Sequence, residues 1–263
     1  MRFLITNDDG IGSVFLHELV QALRAAGHET AVAAPKREQS WIGAAKSRHR
    51  PVTSERADGV HELGCPTWII DGTPSDCVNI AIAHLLPAAK FPMPDAVVSG
   101  INIGFNASLA FILASGTIGG AWEGAVHGLP GIAFSQNVLP EAFEHLRETG
   151  GKADATLAAI LKTSARHAAQ IAGSLARSTP PRSFTVHNVN FPATCSASTE
   201  IRRTVPARVI IPGLFSPAQD DGTHRFIFNR GEDVSPAEPL TDRAAITAGF
   251  ISHTVLDYRK LGL

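Results

Sequence analysis

The chain opens on MRFLITNDDGIG, residues 1–12, and this stretch limits the fold more than any other. Arg2 to Thr6 reads as a short buried strand that breaks at once into Asn7-Asp8-Asp9-Gly10. Two adjacent carboxylates at the carboxyl end of a first strand are costly in a partly desolvated crevice. Both ionise there only where a cation compensates them. That strand end is also where open α/β sheets bind ligands. One reading is therefore an oxygen-lined site for a hard metal. The other is a plain turn, since Asn-Asp-Asp-Gly is good turn chemistry.

The next segments set the fold class. Ser13 is placed to cap a helix from about Val14 to Ala26, with Val14, Phe15, Leu19, Val20 and Leu23 as its apolar stripe and Gly27 at its end. Glu29 to Ala34 reads as a second strand, and this β-α-β opening argues for a parallel sheet. Gly10-x-Gly12 is not a dinucleotide fingerprint, because Phe15 stands where the third glycine belongs. A polar loop, Pro35 to Ser47, follows on the same sheet edge as the acid pair and carries Ser40. Arg48 to Pro66 has no clear period, and Trp68 to Ile70 suggests a short strand. Thr73-Pro74-Ser75-Asp76 has the spacing of a capping box opening a helix to about Leu86.

Asp95 to Ser99 is a further strand, ending in Gly100-Ile101-Asn102-Ile103-Gly104-Phe105-Asn106. The repeated Gly-x-Asn spacing puts two side-chain amides in a glycine-loosened loop. An amide oxygen suits a hard cation, and an amide NH₂ can donate to a phosphate. Ser115-Gly116-Thr117 opens a helix from about Ile118 to His127, rich in small residues. Amides and hydroxyls at a helix start make an anion site, although plain capping by Ser115 or Thr117 explains them as well. Glu123, two turns in, reads as a surface or helix-polar residue. Gly131 to Ser135 and Phe184 to Phe191 read as strands, and Ala153 to Arg177 as the longest helix. Asn188 and Asn190 read as asparagines bonding backbone at a strand end.

Beyond Cys195 the character changes. Arg202 to Ile211 and His224 to Asn229 read as strands of a hairpin-like arm, and Thr241-Asp242 caps a short helix before a last strand from Phe250 to Leu256. The expectation is a Rossmann-like α/β core over residues 1–195, a mostly parallel sheet flanked by helices. A C-terminal arm over 196–263 is then left for oligomer contacts.

Composition removes several classes. A net charge of −1 with scattered Lys and Arg gives no basic face for nucleic acid. Three separated cysteines form neither a disulfide framework nor a zinc ribbon. The start shows no signal-peptide pattern, and no apolar run reaches the roughly 20 residues a bilayer requires, so a cytoplasmic protein is expected. There is no Walker A loop, no G-x-S-x-G elbow and no H-E-x-x-H. What remains is an oxygen-rich set after the strands: Asp8, Asp9, Ser40 and Asn102, with Asn106 and Ser115-Gly116-Thr117 beside it. Oxygen-only ligation favours Mg²⁺, Mn²⁺ or Ca²⁺ over zinc. A hard cation beside an anion cradle is suited to hydrolysing a phosphate ester.

The order of motifs also resembles a family. NDDG, a serine loop after the second strand, DGTPSDCV, PDAVVSGIN-x-G-x-N, SGT before a small-residue helix, V-x-N-V-N-x-P and the closing TDRAAITAGFISHTVL together resemble the SurE survival-protein nucleotidases. The resemblance implies a phosphatase of nucleoside 5′- or 3′-monophosphates using one divalent cation per subunit, Mg²⁺ or Mn²⁺. It implies a homodimer or homotetramer built through the arm. Position by position, Asp8, Asp9, Ser40 and Asn102 match the family's metal ligands. Asn106, Ser115, Gly116 and Thr117 match its phosphate contacts, and Asp8 and Asp9 are the catalytic candidates. This chain departs from the pattern at Ser40-Trp41, where the family has Ser-Gly. It departs again after Asn106, where Ala107 to Ala114 is an apolar wall in place of an acidic run. Two other functions stay open on the same fold: a non-catalytic nucleotide-binding regulator, or a broader phosphatase acting on polyphosphate or sugar phosphates.

Overall fold

A computed structural model describes residues 1–59 and 62–260. The elements in chain order are β1 (Arg2–Thr6), α1 (Val14–Ala25), β2 (Glu29–Pro35), β3 (Ser54–Arg56), β4 (Thr67–Ile70) and α2 (Pro74–Ile80). A π-helical turn (Ala81–Leu85) leads into α3 (Leu86–Ala88), then β5 (Ala96–Ile103), α4 (Leu109–Ala114), α5 (Gly116–Val126), β6 (Gly131–Gln136) and α6 (Pro140–Glu148). The rest is α7 (Ala155–Ser178), β7 (Thr185–Phe191), β8 (Ile201–Thr204), β9 (Val209–Ile210), β10 (Glu232–Asp233), α8 (Asp242–Thr247) and β11 (Ile251–Asp257).

Nine strands form one sheet in the order β3-β4-β2-β1-β5-β6-β7-β11-β8. The run from β4 to β7 is parallel, and antiparallel pairings occur only at β3–β4 and β7–β11. The chain winds outward from β1 to β2 on one side and to β5 on the other. The switch point therefore lies between the carboxyl ends of β1 and β5, which carry Asp8-Asp9 and Asn102.

Strand alternation assigns the two faces. Phe3 and Ile5 of β1 join the core under α1 and α7, while Leu4 joins the opposite one under α2. Both helix layers are needed because β1 is buried along nearly its whole length. The glycines of α5 explain its close approach to the sheet. A Cβ on Gly124 would stand 2.5 Å from Val97 Cβ, and one on Gly120 would stand 2.8 Å from Thr6 Cγ2.

Several expectations are corrected. The helix after Thr73 keeps its reciprocal capping box but passes through the π-helical turn before Leu86. The strand from Asp95 does not stop at Ser99. It shifts register and pairs again with β6 through Asn102 and Ile103. Ser13 occupies the N-cap of α1 but makes no side-chain cap bond. Within 48–66, β3 forms by pairing antiparallel with β4, a partner that local periodicity cannot announce. Residues 224–229 form no regular strand. They contribute one isolated bridge, Phe215 to Phe226, and β9 pairs instead with β10. Pro206 and Pro212 confine strand pairing on either side of β9. β8 and β11, both beyond residue 195, complete the main sheet, so only the excursion between Thr204 and Thr241 stands out as an arm.

No helix among the described residues is long and apolar enough to cross a membrane. Where β7 meets β11, His187 Nδ1 and His253 Nε2 lie 3.0 Å apart, and Thr179 Oγ1 lies 2.8 Å from His187 Nε2. Burial pushes both imidazoles down to about 4, with Arg203 opposing a charge on either. The folded state thus binds fewer protons than the unfolded chain. This contribution is present above about pH 6.5 and is lost as pH falls toward 4. Urea denaturation is expected to show a loss of about 3–4 kcal/mol between pH 7 and pH 5, about 2 from each imidazole. His253→Gln should remove about half of that slope, since His187 stays buried, and an equal slope in the variant would remove the pair as its source.

Candidate active site

Four segments converge at the switch point. Asp8 follows β1 and is 3% exposed; its Oδ1 accepts from Thr117 Oγ1 at 2.6 Å. Its carbonyl accepts from Gln39 N at 2.7 Å, which ties the loop after β2, and so Ser40, to the acid turn. Asp9 Oδ2 accepts from Ile103 N at 3.1 Å, which ties the acid turn to the end of β5. Gly116 completes the closure. A Cβ there would meet Asp8 Cβ at 2.9 Å and Gln39 O at 3.0 Å, so only glycine lets α5 start this close.

Electrostatics follow from that closure. Burial raises the proton affinity of Asp8 above the ordinary carboxylate range, against the lowering effect of the Thr117 bond. Burial and then the charge of Asp8 raise Asp9 as well. Two carboxylates packed this way hold a proton unless positive charge arrives.

The amides sit on both sides of the pair. Asn102 Nδ2 donates to Ile103 O at 3.3 Å and to Gly104 O at 2.9 Å, so its nitrogen is spent on backbone and its carbonyl oxygen is the end left for a ligand. Asn106 Nδ2 donates to Ser135 Oγ at 2.9 Å and to Thr117 Oγ1 at 3.3 Å. Ser115 Oγ accepts from Ile118 N at 3.1 Å, so Ser115 caps α5, while Thr117 turns its hydroxyl to Asp8. Ser40 lies exposed at the rim. The candidate residues thus meet at one sheet edge through backbone and side-chain contacts that join their segments.

Four residues support the site in ways that sequence reading does not show. Asn188 and Asn190 do bond backbone, as expected of them, but the backbone is that of Asn106, a site residue on another segment. Asn190 Oδ1 accepts from Asn106 N at 2.8 Å and Asn188 Nδ2 donates to Asn106 O at 2.7 Å, clamping that residue from β7. Their i, i+2 spacing, which puts both on one strand face, was the available signal. Ser135 joins the same network. Glu123 is no surface residue: it is 1% exposed and accepts from Lys46 Nζ at 2.6 Å and Asn79 Nδ2 at 2.8 Å. Lys46 belongs to the Ser40 loop, whose far end is also held by Thr73 Oγ1 donating to Ala45 O at 2.7 Å.

A divalent cation fits these donors. Among the described residues no three His, Cys, Asp or Glu side chains cluster as a metal site. The set is instead two carboxylates with an amide oxygen and a hydroxyl on adjoining segments, the chemistry of a hard ion.

The family model described as survival protein SurE matches residues 3–210. A protein named 5′-nucleotidase SurE from Solidesulfovibrio magneticus is 35% identical over 264 residues, covering 98% of this chain and 92% of its own. Proteins of that name from Synechococcus elongatus and Gloeobacter violaceus are each 43% identical over 135 residues, 51% of this chain. In those matches the chain spans about half the length of the relative, 50% and 49%. The crystal structure of the Aquifex aeolicus SurE protein superposes with a TM-score of 0.73 at 28% identity, covering 98% of this chain and 93% of that one.

Proposed function

This chain belongs to the SurE family, and we propose that it is a divalent-cation-dependent phosphatase that hydrolyses nucleoside 5′- and 3′-monophosphates. The observation that carries the reading is the acid pair, half-buried Asp9 beside buried Asp8, with Asp8 closed over by Thr117 and Gly116 at the start of α5. Asp8, Asp9, Ser40 and Asn102 would hold the cation, Mg²⁺ or Mn²⁺. When bound, the ion supplies positive charge against the phosphate oxygens.

The chain's own groups do the rest. The amides opening α5 orient phosphate oxygens at the helix's positive end; the Thr117 hydroxyl and Asn106 Nδ2, which donate to Asp8, Ser135 and Thr117 in the free protein, turn to those oxygens when substrate enters. One carboxylate of the pair takes a proton from the attacking water as its oxygen bonds to phosphorus. The phosphorus–oxygen bond to the nucleoside breaks, and a proton returns to the leaving oxygen. Asn188 and Asn190 fix Asn106, so the cradle is formed before substrate arrives. The arm between Thr204 and Thr241 is assigned to contacts between copies in a dimer or tetramer, and the cytoplasm is assigned as the compartment.

The test is phosphate release from AMP with Mg²⁺ or Mn²⁺, with EDTA, and with EDTA followed by excess cation. Release that EDTA abolishes and cation restores is expected. Tight nucleotide binding with no release would make the protein a regulator on this fold, and EDTA-insensitive release would remove the cation from the reading.

A further inference from the structure

Aromatic rings from four segments gather beside residues that adjoin the phosphate cradle in sequence. Trp41 follows Ser40, and Phe105 precedes Asn106. Phe111 lies on α4, and Phe226 and Phe228 come from the arm. The Trp41 ring centroid is 5.6 Å from that of Phe111, 5.0 Å from Phe226 and 6.3 Å from Phe228. Phe105 stands edge-on to Phe111 at 6.0 Å, and Phe111 lies 5.8 Å from Phe228. Phe111 is buried, but Trp41, Phe226 and Phe228 remain 39%, 46% and 53% exposed. The guanidinium carbons of Arg230 and Arg243 lie 5.9 and 5.8 Å from the Phe105 centroid.

Trp41 is held there against its own backbone preference. Its φ is +62°, a conformation that suits glycine and that a bulky residue keeps only where its surroundings hold it. The loop is anchored on the cradle side as well, since Gly43 N donates to Ala114 O, the residue before Ser115.

We propose that this half-open cluster is the leaving-group subsite, stacking on the flat heterocycle of the substrate and selecting aromatic phosphomonoesters over sugar phosphates and polyphosphate. The inference rests on the phosphatase reading above. A monoester anchored by its phosphate at Thr117 carries its other half out past the neighbours of Ser40 and Asn106, and those neighbours are Trp41 and Phe105. Aromatic faces stack on a base whatever its hydrogen-bonding edge. The two guanidinium groups favour a dianionic ligand on the same side.

The experiment compares the wild type with Trp41→Gly and Trp41→Phe on AMP and on glycerol phosphate, with oligomeric state followed by sedimentation. Glycine removes the ring while suiting the backbone at φ +62°, so a loss cannot come from strain. Trp41→Gly is expected to lower the AMP-to-glycerol-phosphate ratio of kcat/KM about 10-fold, through KM for AMP, and Trp41→Phe to restore most of it. An unchanged ratio overturns the inference. So does dissociation of an oligomer without a change in ratio, which would make the cluster a contact between copies. Should the wild type release phosphate from neither ester, the phosphatase reading fails, yet the subsite is still judged by adenosine. Quenching of the Trp41 fluorescence, taken as wild type minus Trp41→Phe, supports it, and no quenching overturns it.

Discussion

Asp8→Asn and Asp9→Asn are each expected to lower kcat on a nucleoside monophosphate by at least about 100-fold while leaving the fold intact. The asparagine keeps the size of the side chain and one acceptor. At position 8 its carbonyl can still take the Thr117 hydroxyl, and at position 9 the Ile103 amide. What disappears is one of the two negative charges that would hold a cation, together with one of the two candidate bases for the attacking water. The same substitution should stabilise the cation-free protein at neutral pH, because burial and mutual repulsion disfavour ionising both carboxylates. Thermal denaturation in EDTA and in Mn²⁺ reads the second effect. Cation should raise the wild-type midpoint by mass action and do little for either variant. Wild-type turnover in either variant would remove the pair from catalysis. An unfolded variant would contradict the claim that charge, not shape, is what changed.

The parts of the molecule that were legible in sequence are those set by neighbours in the chain. Thr73 and Asp76 cap reciprocally because residues three apart meet at any helix start. The alternation that buries β1 and the stripe that buries α1 are likewise local. Glu123 was misread because its partners, Lys46 and Asn79, stand 77 and 44 residues away in sequence. A lone carboxylate on a helix carries no mark of a lysine that reaches it from a distant loop. The strand after Asp95 was cut short because Gly100 and Gly104 signal loops, whereas β6 continues the ladder past the irregularity. Trp41 and Phe105 could be flagged as departures at the mouth of the site. Their company could not, since Phe226 and Phe228 reach them only when the arm folds back over α4. The site's ligand types were thus written locally, and its supports were written in tertiary contacts.

Asp242→Ala is expected to cost about 3–5 kcal/mol of folding stability. The side chain is fully buried in the first turn of α8, and burial pushes its carboxyl above the ordinary range despite its hydrogen bonds. Oδ2 accepts from Ser108 N at 2.9 Å, and Oδ1 accepts from Ala207 N at 2.9 Å and from Arg243 N at 2.8 Å. Alanine leaves three amides without that acceptor, two of them buried bonds joining the arm's root to the start of α4. Ser108 makes the loss worse. Its φ is +86°, sparsely populated for a residue with a Cβ, and the Asp242 bond is part of what holds it. For a chain of this size the thermal midpoint should fall by roughly 10 °C. Asp242→Asn should lose less, because its one carbonyl oxygen can keep the Ala207 and Arg243 bonds while its NH₂ faces the Ser108 donor. The cost should therefore order as alanine above asparagine, read by urea denaturation at neutral pH. Equal stability of the alanine variant and the wild type would show that the arm and α4 are held together by their aromatic contacts rather than by this carboxylate.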